Sequence, residues 1–508
     1  MALAGVAGLG VGVGSGGFGT ARAASSDYLA IDGSNSMNAR LDMGGFSVEN
    51  VDDVLANAQY SSHSTRGNGN DVVQFWDRAN GNYLVRAREG GPVSVGQDLV
   101  AERGLSVDGW NVVDVGADLD VEPGSDADVA AEIDSFVGSD ASANYLFVFP
   151  NGTYKWNTTL DKTGFEFLGF VGKPRATLDV TDPDANLLMD LGSDSTDSSR
   201  LVVRNLTVDI TDRSDGTVID AKYQDRDSDG SVDHDTDERF SFQVQMAEET
   251  GVCFMRNVKQ PDGGTFWPEK DAVGHVIPFS SDPKHRGTKI YEQCYVEGFV
   301  DNGFYVMNSP GRNVLRGCTA KNNGGGNVRL GVDDVCRDST IVIDNANSVG
   351  YNGAGLWLTG SSDDYEGQQP FAENVRIYGP EAQNDLLRIN SGANGATAKN
   401  VEIYAGPNSF TNSGFAVDVT EGSSTPDRRI LLEDVTVRDE AGDDIVEIRE
   451  PNATFTNCRF EGSSSKNGRF AAYDAASDGL YVDGCRFVNA DLYSLSSSDL
   501  TTSGNFGI

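Results

Sequence analysis

The segment LVVRNLTVDI, residues 201–210, contains the pattern that decides the fold. Apolar side chains alternate with polar ones on both sides of Asn205, which is the period-2 pattern of a half-buried β-strand. Asn is a common residue at tight bends between strands. The segment therefore predicts two short strands that meet at a bend.

The same pattern, a small or polar residue followed by apolar, any and apolar residues, recurs along the chain from about residue 200. Its ten first residues are Asn205, Asn257, Gln293, Gly317, Ser339, Asn374, Asn400, Asp434, Asn457 and Gly484. Successive separations run from 22 to 52 residues, so the unit has a minimum length of 22–27 residues and longer gaps carry insertions. A unit of this size cannot bury its own apolar face and must stack on its neighbours as a solenoid.

The composition of the unit decides which solenoid it forms. Leucine-rich repeats have a similar length, but these units lack regularly spaced leucines. Short strands separated by Asn and Gly bends predict an all-β fold, a parallel β-helix whose apolar residues point inward. Cys294 and Cys318 then occupy equivalent positions on adjacent coils, as do Cys458 and Cys485. We expect buried thiols in an internal stack, with disulfides as the alternative.

Three segments carry a resemblance to a known family. NVVDVGAD at residue 111, VFPNGTY at residue 148 and LVVRNLTVDI at residue 201 are similar to the first coils of pectate-lyase-like right-handed parallel β-helix proteins. The resemblance covers residues 109–490 and implies a short helix that closes the open end of the first coil. Residues 128–136 are the candidate for this helix, with Ser125 or Asp126 as its N-cap.

The chain divides into three predicted parts. Residues 1–24 are rich in Gly, Ala and Val and end in a small-residue cleavage pattern, which predicts an export signal that resembles a twin-arginine signal without its arginines. The alternative is a flexible tail. Residues 25–108 form a small β-rich unit, because a hairpin is predicted at Asn80-Gly81. Residues 109–508 form the right-handed parallel β-helix. No later segment is long and apolar enough to span a membrane.

The charge balance excludes some partners. The chain has 508 residues and 77 Asp and Glu against 39 Lys and Arg, a net charge of −38, and only 11 of its residues are Lys. This composition resembles that of proteins from salt-loving organisms, here halophilic archaea, in which molar salt screens carboxylate repulsion. Nucleic acids and anionic membranes are therefore poor candidate partners.

An acid-rich segment predicts a metal site. In DRDSDGSVDHDTDE, residues 225–238, alternate side chains with a glycine in register follow the layout of a calcium-binding loop. The predicted ligands are Asp225, Asp227, Asp229, Ser231 and Asp233. The expected cofactor is calcium, and the alternative is a solvated acidic loop.

A cluster of cations predicts a substrate site. The residue motifs of polygalacturonase-type hydrolases and calcium-dependent pectate lyases are absent, so no catalytic residue is transferred from the family. Instead, basic residues recur at about one-coil separations in a chain that is otherwise short of them. The predicted substrate-binding residues are Lys284, Arg286, Arg312 and Lys321, and the predicted catalytic residues are His285, Asp301 and Tyr305. The alternative for each is a salt bridge to the surrounding acidic residues.

Two functional hypotheses follow. The first is an extracellular enzyme acting on acidic polysaccharide, by β-elimination rather than hydrolysis, with the cations neutralising a sugar carboxylate. The second is a non-catalytic cell-surface or adhesion protein that binds a cell-surface glycan on the same scaffold. The fold alone does not separate them.

Overall fold

The chain divides into two units, Met1–Glu102 and Arg103–Ile508. In the first, the computed structural model describes the backbone of four strands. In the second, it describes most residues from 111 onward. The described ranges are 62–65, 71–77, 82–88, 94–95, 111–138, 144–181, 188–192, 198–210, 239–261, 263, 276–281, 283–299, 301–307, 309–345, 354–359, 369–390, 395–410, 414–420, 430–442, 444–449, 453–463, 468–472, 480–494 and 501–506.

The first unit contains a four-stranded antiparallel sheet. Its strands, in spatial and chain order, are Ser62–Thr65, Asp71–Asp77, Asn82–Arg88 and Ser94–Val95. Asp77 pairs with Asn82, so the antiparallel pairing of the two strands that flank the predicted turn is confirmed, while Asn80-Gly81 itself lies outside the described residues.

The second unit is a parallel β-helix. Each full coil contributes one strand to each of three parallel sheets, and each strand pairs with its equivalents on the previous and next coils. The fold class predicted from the repeats is confirmed. Right-handed winding is the hand that connections between parallel strands adopt.

Sheet 1 contains the first strand of every coil, and three of these strands continue without interruption into sheet 2. The strands confined to sheet 1 are Asn111–Asp114, Val252–Arg256, Thr288–Glu292, Arg312–Arg316, Val335–Arg337, Phe371–Glu373, Ala396–Lys399, Ile430–Glu433, Ala453–Thr456, Tyr481–Asp483 and Thr501–Ser503. The strands shared with sheet 2 are Tyr145–Lys155, Leu168–Asp179 and Arg200–Asp209.

Sheets 2 and 3 contain the second and third strands. In sheet 2 the remaining strands are Lys259–Gln260, Tyr295–Glu297, Thr319–Lys321, Thr340–Val342, Arg376–Gly379, Glu402–Ala405, Thr436–Asp439, Arg459–Glu461 and Arg486–Val488. Sheet 3 has twelve strands, Leu160–Lys162, Met189–Leu191, Arg239–Val244, Val276–Ser280, Phe304–Tyr305, Gly326–Leu330, Ala354–Thr359, Leu387–Asn390, Val417–Thr420, Asp444–Ile448, Gly468–Ala472 and Ala490–Ser494.

The corner between sheets 1 and 2 explains the repeat. A left-handed backbone conformation with φ between 49° and 64° occurs at one residue per coil: Asn205, Asn257, Gln293, Gly317, Asp338, Asn374, Asn400, Asp434, Asn457 and Gly484. Asn, Asp and Gly tolerate this conformation better than other residues. Nine of the ten predicted positions are these corners. The tenth was placed one residue late, at Ser339 instead of Asp338.

Amide side chains at some corners also bind one another. Asn257 Nδ2 donates to Asn205 Oδ1 at 2.9 Å, and Asn400 Nδ2 donates to Asn374 Oδ1 at 2.7 Å. The bends are thus stabilised by hydrogen bonds between coils, in addition to the backbone ladders.

Two helices lie at the start of the β-helix. The helix α1, Val115–Leu119, begins at Asp114, and α2, Val129–Val137, begins at Asp128, whose side chain accepts from Ala130 N at 3.1 Å. α2 buries Val129, Ala130, Ile133 and Val137 in the core, which agrees with the predicted closing of the first coil. Its N-cap is Asp128, and the prediction of Ser125 or Asp126 was wrong.

The core lies inside the coils. Inward residues of all three sheets join one apolar cluster that runs from Val113 to Ala490. The six cysteines are buried and unbonded to one another, which agrees with the expected thiols. Outward residues, which alternate with the core residues, are the ones that can form a site.

Candidate functional site

One row of outward side chains on sheet 3 collects most of the chemistry. Strand register aligns Ser280, Tyr305, Arg329, Trp357, Arg388, Asp418 and Glu447, one residue per coil. Neighbouring strands lie about 4.8 Å apart, so these side chains form a continuous line along the solenoid. We call it the sheet-3 row.

Trp357 lies between two arginines in this row. The Arg329 guanidinium carbon lies 3.9 Å from the centre of the Trp357 ring, and that of Arg388 lies 4.6 Å from it. Arg329 also lies 5.2 Å from the Tyr305 ring. Such stacking keeps planar cations in place, because the ring faces are electron-rich.

Two donor groups in this stack point to a polar ligand. Arg329 Nε and Trp357 Nε1 are buried without a hydrogen-bond partner among the described residues. Burial lowers the pKa of Arg329, but a guanidinium stays charged at neutral pH. Buried donors without partners are rare in folded proteins, so the stack is suited to accept oxygen atoms from a bound molecule.

A pair of buried carboxyl groups follows Arg388. Asp385 and Asp418 are each 4% exposed, and Arg388 Nε lies 3.8 Å from an oxygen of each. Asp385 also accepts from Phe415 N at 2.9 Å. Burial, together with the neighbouring Asp385 carboxylate, raises the pKa of Asp418 to about 8, and burial raises the pKa of Asp385. The pair therefore holds one proton near neutral pH, hydrogen-bonded between the two groups.

Glu447 is the next acid in the row. Its side chain is buried, and its Oε1 accepts from Arg449 Nη2 at 2.6 Å. Glu447 and Asp418 are register neighbours, so two carboxyl groups in different environments lie on successive coils. Two neighbouring carboxyl groups are the residue types that acid–base catalysis at a glycosidic bond uses.

The structure separates the predicted site residues onto three faces. Tyr305 belongs to the sheet-3 row. Burial lowers the pKa of Arg329 in the same row, and the attraction of Tyr305 and Asp301 only partly offsets this effect. Lys284 and Arg286 are exposed in the segment before sheet 1, and Arg312 is exposed on sheet 1. Lys321 is on sheet 2, where it pairs with Glu297 at 3.0 Å and Asp344 at 3.6 Å. The expected single groove of cations is therefore not formed.

His285 lies inside the fold and does not line the sheet-3 row. Its side chain is fully buried, and its Nδ1 accepts from Met246 N at 3.1 Å. A Cβ atom on Gly311 would lie 2.6 Å from the imidazole, so the ring fills a tight space. Burial and the nearby Lys289 hold the pKa of His285 well below its usual range. Lys289 is itself buried and donates to Ser280 O at 2.8 Å.

Sequence reasoning missed most of the sheet-3 row. Trp357, Arg388, Asp418 and Glu447 each lie between two inward apolar residues, in GLWLT, LLRIN, AVDVT and DIVEI. That shared pattern, one polar or aromatic residue inside an apolar strand of successive repeats, was the available signal. Asp385 precedes its strand and has no such pattern.

The predicted calcium ligands at residues 225–233 lie outside the described residues. Within the described ranges, no group of three or more His, Cys, Asp or Glu side chains could hold a metal ion. No helix in that part of the chain is long and apolar enough to cross a membrane.

Comparisons with known proteins add a likeness in fold. No family model matches the chain, and no curated protein matches it. Solved structures that resemble it include the Agl-KA catalytic domain, with 11% identity, 81% of this chain and 71% of that chain covered, and a TM-score of 0.42. A second is the A-module of the Azotobacter vinelandii mannuronan C-5 epimerase AlgE4, with 12% identity, 78% and 100% coverage and a TM-score of 0.42. A third is PfbA, a surface adhesin of Streptococcus pneumoniae, with 10% identity, 78% and 91% coverage and a TM-score of 0.34.

Proposed function

We propose that the chain is an extracellular enzyme that cleaves acidic polysaccharide by β-elimination at the sheet-3 row. The observation that carries the proposal is the buried Asp385–Asp418 pair beside Arg388, in which burial raises the pKa of both carboxyl groups. β-Elimination at a sugar acid needs a cation for the carboxylate, a base for the neighbouring carbon and an acid for the leaving oxygen. Arg388, Asp385 and Asp418 supply these three groups.

The Asp385–Asp418 pair can accept one proton and supply another, as β-elimination requires. Asp385 takes the proton from the carbon next to the sugar carboxylate, the electron pair forms a carbon–carbon double bond, and the glycosidic carbon–oxygen bond breaks. Asp418 gives its proton to the leaving oxygen. The proton on Asp385 then returns to Asp418 through the hydrogen bond between them, and the pair regains its starting state without water or a cofactor.

The remaining row binds the polymer. Tyr305 lies four strands from Asp418, about 19 Å away at 4.8 Å per strand, so the two cannot act on the same glycosidic bond. We therefore assign a binding role to Asp301 and Tyr305, which were predicted to be catalytic, at the end of the row away from Asp418. There Arg329 binds a second sugar carboxylate, because guanidinium and carboxylate form paired hydrogen bonds.

Hydrolysis is the second candidate reaction, and Glu447 favours it. An acid with a raised pKa and a second carboxylate about one strand away are the two groups that glycoside hydrolysis uses. The non-catalytic glycan-binding alternative needs no proton on Asp418. The reaction products and the effects of the variants distinguish β-elimination, hydrolysis and non-catalytic binding.

The deciding experiment is turnover of polyuronates at high salt, followed by the absorbance of unsaturated products. Asp418→Asn should lower kcat by about 10³-fold, because the amide cannot give up a proton. Glu402→Gln on the same coil but on exposed sheet 2 is the matched control and should leave kcat unchanged. New reducing ends without the absorbance of unsaturated products would establish hydrolysis. Retained binding of the polymer without turnover would establish a binding protein.

We also propose that the chain binds calcium and is exported. Alternating oxygen ligands in residues 225–233 suit a hard cation, so Asp227→Asn with Asp229→Asn should remove one bound calcium ion in calorimetry. Unchanged stoichiometry would assign the segment to surface charge.

Residues 1–24 serve as the export signal, and fusing them to a reporter enzyme should direct it outside the cell. A reporter that stays inside would contradict this role.

A further inference from the structure

A second charged surface lies on sheet 1, away from the sheet-3 row. Five strands, Arg200–Asp209, Val252–Arg256, Thr288–Glu292, Arg312–Arg316 and Val335–Arg337, are in register and present three rows of outward side chains. The rows are Arg200, Val252, Thr288 and Arg312; then Val202, Phe254, Ile290, Val314 and Val335; then Arg204, Arg256, Glu292, Arg316 and Arg337. We call this surface the arginine face.

The arginine face reverses the charge of the chain. Its outward residues include six arginines and one glutamate, a local charge of +5, whereas the whole chain carries −38. A cationic surface on such an anionic protein attracts anionic partners by its local field.

Three of these arginines are available to a partner. Arg200, Arg312 and Arg316 are exposed, and none of them has an ion-pair partner among the residues that the structure describes. Others in the face are partly engaged: Arg256 lies 3.9 Å from Glu292, and Arg337 lies 3.2 Å from Glu373.

The centre of the face is apolar. In the middle row Phe254, Ile290 and Val314 are partly exposed, and the Arg204 guanidinium carbon lies 6.0 Å from the Phe254 ring. Val252, next to Phe254 in the first row, is 39% exposed. A partner that fits this face has an apolar body and anionic groups at its margins.

The dimensions favour a narrow chain over a folded protein. Five strands span about 19 Å along the solenoid, and four residues along a strand span about 13 Å across it. The resulting area of about 250 Å² is well below the roughly 800 Å² that each partner buries in a stable protein interface. An extended polymer that lies along the solenoid can contact every strand within this area.

We propose that the arginine face is a second binding surface for acidic polysaccharide, which holds the polymer while the sheet-3 row acts on it. The polymer class rests on the proposed function, but the surface does not depend on the catalytic groups. Sugar C–H groups pack on the apolar centre, and sugar carboxylates bind the flanking arginines.

The test removes the three exposed arginines together. Arg200→Ala, Arg312→Ala and Arg316→Ala, in the Asp418→Asn background that prevents cleavage, should weaken binding to immobilised polyuronate by about 10-fold, from roughly 0.5 kcal/mol per lost contact. The control carries Arg376→Ala, Arg438→Ala and Arg459→Ala on sheet 2, which change the net charge equally. It should bind like the parent.

A second readout separates this proposal from the reaction. In the otherwise native enzyme, the sheet-1 triple variant should raise KM for long polymer about 10-fold and leave turnover of short oligosaccharides unchanged. Equal binding by both triple variants would overturn the arginine face as a polymer site. So would self-association in sedimentation that only the sheet-1 variant abolishes. If the parent shows no turnover but the sheet-1 triple variant loses binding as expected, the proposed β-elimination is contradicted and the arginine face is supported as a polymer site.

Discussion

Sheets 1 and 3 are built from the same repeat, yet their outward rows differ in chemistry. On sheet 1, Arg337 and Glu373 form an ion pair 3.2 Å long, with Arg337 45% exposed. On sheet 3, Arg388 contacts two carboxyl groups whose side chains are only 6% exposed. Water screens the first pair and is largely kept from the second group, so the same residue types give weak surface attraction in one place and a shifted pKa in the other.

The pH dependence of stability should show the largest difference between sheets 1 and 3. In the folded state the pKa of Asp418 is about 8, against about 3.9 in an unfolded chain, so the folded state binds more protons between these values. Stability should therefore fall as pH rises from about 4 to about 8, by up to about 1.4 kcal/mol per pH unit and about 6 kcal/mol in total.

Asp418→Asn should remove this slope, which urea unfolding at several pH values would measure. The pKa of Asp334, raised by burial to about 7, contributes a slope of the same sign in both proteins and cancels in the difference. Parallel curves for the two proteins would show that Asp418 is not protonated in the fold.

Arginine removal should give the next largest effect. Arg388→Ala leaves buried carboxyl groups without their cation and should cost about 3 kcal/mol of unfolding free energy at pH 7. Arg337→Ala removes an exposed pair and should cost no more than about 0.5 kcal/mol. Chemical denaturation measures both. Equal costs would mean that sheet 3 is as well solvated as sheet 1.

Added salt should have the smallest effect on the difference in stability between the sheet-1 and sheet-3 arginine variants. Between about 0.1 and 1 M salt the screening length falls from about 10 Å to about 3 Å. The cost of Arg337→Ala should vanish, and that of Arg388→Ala should change by less than about 0.5 kcal/mol. Over the same series the parent chain should gain β structure in circular dichroism, because its net charge of −38 is screened. An unchanged spectrum and Tm would contradict the salt requirement.

The site was much less predictable than the fold. The predicted basic residues do not keep one position in the coil: Lys284 and Arg286 precede a sheet-1 strand, whereas Arg312 and Lys321 lie nine residues apart on the sheet-1 and sheet-2 strands of one coil. His285 was predicted to be catalytic because it lies within a cluster of basic residues. Its ring is instead buried, because Gly311 on the next coil leaves space for it and Met246 N supplies a hydrogen bond.

The sequence by itself determined the coil. Asn205 and its equivalents mark the corner because left-handed backbone favours Asn, Asp and Gly, which occupy nine of the ten corners, and period-2 alternation then points apolar residues inward. Which outward residues become neighbours depends on strand register between coils, and this only the tertiary structure decided. Asp385, Arg388 and Asp418 acquire their chemistry from burial and from one another, and neither property is encoded within any single repeat.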